Sequence, residues 1–159
     1  MNQRSATVIT ASNRASQGIY SDLSGQSLKD GLIALGFNAS DPIIVADDID
    51  AISQEIVKAL ANKARLIVTT GGTGVSPTDV TPEATAPFIE KLIPGFAEAL
   101  RAYSRDKVPT SDLTRGLAGT HGSTLIINLP GSQGAVRDGL VIIERLALHI
   151  LDQLDGQDH

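Results

Sequence analysis

Thr69-Thr70-Gly71-Gly72-Thr73-Gly74 sets three glycines and three threonines in six consecutive positions. Glycine permits positive φ and close backbone approach. A turn with free N–H groups can cradle phosphate oxygens, to which threonine adds hydroxyls. A plain strand-to-helix turn needs fewer of either, so the loop points to a phosphate-bearing ligand. It has neither the Gly-Lys-Ser/Thr ending of a P-loop nor G-x-G-x-x-G spacing. Asp79 follows, just before Val80-Thr81-Pro82, where Thr81 is expected as N-cap and Pro82 as first helical residue. Asp79 therefore has two readings: an acid satisfying the helix dipole, or a carboxylate holding Mg2+ beside a phosphate chain. Asp47-Asp48 divides in the same way, because Asp48 or Asp50 can cap the next helix. Acids at two neighbouring strand ends would make a shared magnesium site. Arg14, with Ser12 and Ser16, is either an anion contact or a solvated surface cation. Pro130-Gly131-Ser132 is either an ordinary turn or an anion site at a helix N-terminus.

The elements needed to position these residues are legible as alternating strands and helices. Ala6–Ala11, Ile43–Ala46, Leu66–Thr70 and Thr124–Leu129 are short, β-branched runs expected as strands. Ser24–Leu35, Ile49–Asn62, Phe96–Arg105 and Val136–Leu154 are expected as helices. Leu28, Leu32, Ile33 and Leu35 fall near one face of the first, and Ile52, Ile56, Val57 and Leu60 near one face of the second. Gly36 stands where a helix stop belongs, Pro94-Gly95 reads as a break, and Ser12–Ser24 reads as a long polar loop. The pattern predicts an α/β fold with a mostly parallel sheet covered on both faces. In such sheets ligands bind beyond the carboxyl ends of the strands. Ser12–Ser16, Asp47-Asp48, Gly71–Asp79 and Asn128–Ser132 all fall there, and their convergence is a stronger signal than any one motif.

Composition narrows the function classes. The 159 residues fit a single domain, with 155–159 as a loose tail. With 42% hydrophobic but only 3% aromatic residues, the core must be aliphatic. The absence of cysteine excludes disulfides, thiolate metal sites and a catalytic thiol. A net charge of −5 argues against general nucleic-acid binding. Met1–Thr10 lacks a signal-peptide core and no apolar run reaches membrane-spanning length, so no membrane partner and a cytoplasmic location are expected. His121 and His149 have no Ser or Asp partner at triad spacing, which leaves a hydrolase triad unsupported.

The motifs together resemble the MoaB/Mog family of molybdenum-cofactor biosynthesis, and within it the molybdopterin adenylyltransferases. The likeness runs through Ser12–Ser16, Thr69–Gly74, Asp79-Val80-Thr81-Pro82-Glu83-Ala84, Pro94-Gly95-Phe96, Leu113–Gly119 and Ile127–Ser132, in the family's order over nearly the whole chain. The resemblance implies Mg2+-dependent transfer of AMP from ATP to the terminal phosphate of molybdopterin, with release of pyrophosphate. It assigns metal binding to Asp47 and Asp79, and nucleotide contact to Gly71, Gly72, Thr73 and Gly74. To the phosphates and the pterin it assigns Ser12, Arg14, Arg115, Asn128, Pro130, Gly131 and Ser132. It further implies a three-layer α/β/α sandwich with a mostly parallel sheet, a homotrimer, with a hexamer as the alternative, and a separate downstream molybdate-insertion protein. Some relatives lack the second carboxylate; this chain has acids at both places, while Asn13 stands where some relatives carry Asp. The alternative on the same residues is a non-catalytic molybdopterin-binding or carrier module.

Overall fold

The structure, a computed structural model, describes residues 3–157. Its sheet has the order β2-β1-β4-β7-β6-β5, formed by β1 (Ser5–Ala11), β2 (Asn38–Ala39), β4 (Leu66–Thr70), β5 (Lys91–Leu92), β6 (Ala118–His121) and β7 (Thr124–Leu129). A further strand, β3 (Ile43–Val45), pairs with β1 on the same edge as β2. Pro42 lies between β2 and β3, and its missing N–H accounts for the interrupted edge strand. β1, β4 and β7 run parallel in one register, with Val8 beside Val68 and Val68 beside Ile127. β6 and β5 add antiparallel pairing at the far edge.

Side chains along the central strands alternate between two cores, as a sheet covered on both faces requires. Val8, Val68 and Ile127 face one layer, made by α2 (Leu23–Ala34), α5 (Pro94–Ser104) and α6 (Gln133–Leu154). Ile9, Ile67 and Ile126 face the other, with α3 (Ile49–Ala61) and α4 (Thr81–Thr85). This is the expected three-layer α/β/α sandwich. The chain leaves β1 toward β2 and β3, then returns across β1 to form β4, so the strand order reverses between β1 and β4. Such a reversal opens a crevice at the carboxyl ends of the strands.

Several local expectations need correction. The polar loop after β1 holds a short helix, α1 (Asn13–Ser16), because the Ser12 hydroxyl caps it by accepting from Ala15 N at 3.2 Å. Pro94 does not break a helix but opens α5 as its first residue, where its missing N–H costs nothing. Ile33 and Val57, assigned to buried faces, are exposed, whereas Leu28, Leu32, Ile52 and Ile56 are fully buried. The strands β2, β5 and β6 were not legible. At the other end, Asp155 is anchored rather than loose: its two carboxylate oxygens accept from Arg4 at 2.8 Å and Arg65 at 2.7 Å. Residues 158–159 of the expected tail lie outside the described residues.

Candidate active site

The aligned register of β1, β4 and β7 delivers Ser12, Gly71 and Pro130 to one edge of the sheet. Gly71 and Gly72 take φ of +96° and +69°, the left-handed region that penalises any side chain. At Gly71 an added methyl would also overlap Ala11 O. Thr81 does not act as N-cap, since Val80 occupies that position without a side-chain bond. Instead its buried hydroxyl donates to Gly71 O at 2.9 Å, and its N–H donates to Gly72 O at 3.1 Å. The first turn of α4 thus grips the glycine loop from below.

Asp48 is the cap of α3, accepting from Ala51 N at 2.9 Å, so Asp47 is released from that role. Asp47 exchanges two bonds with Asn13: its Oδ2 accepts from Asn13 N at 3.0 Å, and its own N–H donates to Asn13 Oδ1 at 2.9 Å. Its other oxygen lies close to Gly72, where an added methyl would come within 3.4 Å. Burial pushes the Asp47 carboxyl above its ordinary range; the bond from Asn13 opposes this and the charge of Asp79 adds to it. Asp79 likewise does not cap a helix. Its Oδ2 accepts from Ser76 N at 3.1 Å. The two carboxylates therefore flank one loop, and the charge of Asp79 is felt at Asp47. Among the described residues no third His, Cys, Asp or Glu joins them in a metal-holding group. Magnesium commonly takes one or two carboxylates and completes its shell with water and phosphate oxygens, so this donor set fits it. Structural zinc, which needs four protein ligands of N or S type, does not fit.

Two cavities open at this edge. The larger, about 700 Å³, is bounded by Gly71–Gly74 and Asp79 on one side. Pro130–Ser132, the start of α6, and the segment from Ser104 to Thr114 close it on the other. The smaller, about 250 Å³, is lined by Ser12, Tyr20, Asp22, Ser24 and Gln133. Both touch Gly71 and Gly131, which form the wall between them. That wall is thin because both residues are glycine: a methyl on Gly131 would stand 3.2 Å from Gly71 Cα. Its position is held by Thr70 Oγ1 donating to Pro130 O at 3.0 Å and Ser24 Oγ donating to Gly131 O at 2.7 Å. Ser132 caps α6, accepting from Ala135 N at 3.1 Å, which turns the helix N-terminus toward the larger cavity.

Gly71, Gly72, Thr73, Gly74, Asp79, Pro130, Gly131 and Ser132 thus meet at the larger cavity, and Ser12 lies on the smaller. Asp47 lines neither cavity, and Arg14 is exposed and lines neither. Asn128 is buried with its polar atoms engaged: Nδ2 donates to Thr69 and Thr85, and Oδ1 accepts from Leu117 N. It braces β4, α4 and the start of β6 behind the site. Arg115 lines neither cavity and is half-buried, with its guanidinium bonded to Gly74 O, Asp79 O and Glu83. Sequence reasoning missed Lys107, Arg137 and Asp138 on the larger cavity. Lys107 and Ser104 both donate to Asp138 at 2.7 Å. They sit at the end of α5 and one turn inside α6, and no local motif marks them.

Comparisons with known proteins point to one family. The family described as the probable molybdopterin binding domain matches residues 7–149. The molybdopterin adenylyltransferase of Helicobacter pylori is 43% identical over 152 residues, covering 94% of this chain and 86% of that protein. Among solved structures, the molybdopterin biosynthesis Mog protein of Mycobacterium ulcerans superimposes with a TM-score of 0.90 at 45% identity, covering 95% of this chain and 99% of that one. The molybdopterin biosynthesis enzyme MoaB of Thermus thermophilus gives 0.89 at 32% identity, with 98% of each chain covered.

Proposed function

This chain belongs to the molybdopterin-binding domain family of molybdenum-cofactor biosynthesis and adenylylates molybdopterin, and we propose that it does so by Mg2+-dependent transfer of AMP from ATP, with Asp47 and Asp79 as the metal ligands. The observation that carries this reading is the pair of carboxylates flanking a left-handed glycine loop beside two cavities that share one wall. A two-substrate transfer needs two adjoining sites, and the Gly71–Gly131 wall gives each substrate its own space. The terminal phosphate oxygen of molybdopterin forms a bond to the α-phosphorus of ATP. The bond from that phosphorus to the bridging oxygen of the β-phosphate breaks, and pyrophosphate departs with the electron pair.

A phosphate monoester has its second pKa near ~6, so the attacking oxygen is already ionised at neutral pH and no protein base is required. What remains is positioning and charge neutralisation. Main-chain N–H groups of the glycine loop and the N-terminus of α6 supply donors. Asp47 and Asp79 would hold magnesium, whose charge offsets that of the phosphates. The same reading includes a homotrimer working in the cytoplasm and passing its product to a molybdate-insertion protein. No helix among the described residues is long and apolar enough to cross a membrane. Light scattering tests the trimer, which should weigh about three times the 16.6 kDa chain.

The deciding experiment incubates the protein with molybdopterin, ATP and Mg2+ and follows pyrophosphate together with adenylylated pterin. Metal-dependent formation of both is expected. Tight pterin binding by folded protein without either product would replace this reading with the carrier module and recast both aspartates as structural.

A further inference from the structure

Val75–Thr78, the turn between Gly74 and Asp79, is exposed throughout. Its own bonds are internal: Ser76 N donates to Asp79 Oδ2 at 3.1 Å and Asp79 N donates to Ser76 O at 2.9 Å. Arg115 fastens the turn from outside the loop. Its Nε donates to Gly74 O at 2.8 Å and its Nη2 to Asp79 O at 3.0 Å, so one planar group joins the two ends of the turn. Its Nη1 donates to Glu83 Oε1 at 2.6 Å in the first turn of α4, and its backbone N–H donates to Thr73 O at 2.8 Å. Glu83 is held below the ordinary carboxylate range by this bond from Arg115. The preceding residue is fastened as well. Thr114 Oγ1 donates to Thr73 Oγ1 at 3.0 Å, and Thr114 O accepts two bonds from Arg101 on α5. The Asp79 carboxylate rests directly against this clamped backbone, since a methyl on Gly74 would stand 2.7 Å from Asp79 Oδ2.

We propose that Arg115, seated by Glu83, is a positioning residue that closes the Gly74–Asp79 turn and so fixes the Asp79 carboxylate for metal binding; it acts through Asp79 and not on substrate. The inference rests on the reading of Asp79 as a metal ligand. A lysine would keep the charge but lose the fork that spans two carbonyls and a carboxylate.

The test uses Arg115→Ala, Arg115→Lys and Glu83→Gln. Mn2+ binding is measured from the resonance signal of the free ion in the presence of α,β-methylene-ATP, and Mg2+ dependence of turnover is measured separately. Loss of an outer partner of a metal ligand typically weakens metal affinity by about 10- to 100-fold. That loss is expected for Arg115→Ala, with millimolar methylguanidinium restoring it, and a smaller loss is expected for Glu83→Gln. Should the alanine variant fail to fold, Arg115→Lys carries the test, with an affinity about tenfold below wild type. Mn2+ affinity within twofold of wild type in a folded Arg115 variant would overturn the proposal. So would a loss that methylguanidinium leaves untouched. Wild-type protein that binds Mn2+ and nucleotide yet makes no adenylylated pterin would remove the catalytic reading and leave this positioning role standing.

Discussion

Replacing Asp47 by Asn should stabilise the metal-free protein while stopping the reaction. The substitution keeps the shape: the amide oxygen can still accept from Asn13 N, and the backbone N–H of residue 47 still donates to Asn13 Oδ1. What it removes is a negative charge that folding disfavours, first by burial and then by the neighbouring charge of Asp79. The sign follows from linkage. A carboxyl raised above its ordinary value, near 3.8, favours the folded state while protonated. That contribution is fully present below the ordinary value and is lost as pH rises through the folded one. Metal-free wild type should therefore lose stability as pH climbs above about 4, and the Asn variant should lack that component. Solvent still reaches the half-buried group, so the gain at pH 8 is discounted to about 0.5–1 kcal/mol. For a domain of this length that corresponds to a rise in Tm of about 1–4 °C. Removing one of two metal ligands should cost at least about 2.7 kcal/mol in the transition state, or about 100-fold in turnover. Thermal unfolding in EDTA at pH 5 and pH 8, with pyrophosphate release measured beside it, reads both quantities. A variant less stable than wild type at pH 8 would refute the account of Asp47 as a charge held at a cost. One turning over within tenfold of wild type would refute its role as a ligand.

Thr81→Val keeps the volume but removes the bond to Gly71 O, leaving a buried carbonyl short of a partner; a loss of about 1–3 kcal/mol is expected in urea unfolding, and a loss below 0.5 kcal/mol, on the order of measurement error, counts against the grip described. Gly71→Ala places a methyl at φ +96° against Ala11 O; a cost of at least about 1–2 kcal/mol and weakened nucleotide binding by calorimetry are expected, and unchanged binding would detach the loop from the nucleotide. Asp155→Asn removes the charge that pairs with Arg4 and Arg65 and one of the two oxygens that accept from them. Asp155 is held below the ordinary carboxylate value, chiefly by its bond from Arg4, so the variant should be less stable at neutral pH. That deficit should shrink as pH falls below the ordinary value, and a deficit that persists at pH 2 would rule out the ion pairs as its source.

What was legible in the sequence was legible for physical reasons. Leu66–Thr70 and Thr124–Leu129 are buried on both faces, so their apolar, β-branched character is continuous and their bounds were read without error. The missed strands β2 and β5 have only two residues each, too short to display a period. β6, Ala118–His121, is written in small and polar residues because Gly119 packs tightly against Ile89 and Lys91. Thr81 shows a different failure. Thr before Pro is a sound cap signal, but the cap position fell one residue earlier because the Thr81 hydroxyl is spent on Gly71 O. The resemblance assigned Arg115 and Asn128 to the phosphates and the pterin, yet a motif does not say which way a side chain points. Asn128 is buried behind the site, and the Arg115 guanidinium is bonded to the loop carbonyls and Glu83. Lys107, Arg137 and Asp138 escaped because their common cavity exists only once α5 and α6 are packed together.

The charge balance of the site follows from where the cations are committed. The protein carries a net charge of −5 and sets two carboxylates beside the glycine loop, a poor start for binding two phosphorylated ligands. Its cations do little to correct this. Arg115 is bonded to loop carbonyls and Glu83, and Lys107 to Asp138. Arg4 and Arg65 share Asp155 at the opposite end of the strands, while Arg105 pairs with Asp112. Arg137 is the cation on the larger cavity that makes no hydrogen bond among the described residues. On the proposed mechanism the phosphate charge must then be met by main-chain N–H groups, the N-terminus of α6, Arg137 and a divalent cation. The two aspartates, repulsive toward phosphate when alone, become the reason phosphate binds once the cation is present. Nucleotide affinity should accordingly depend steeply on Mg2+ and only weakly on added monovalent salt, the reverse of a site built from exposed lysine and arginine, whose attraction salt screens.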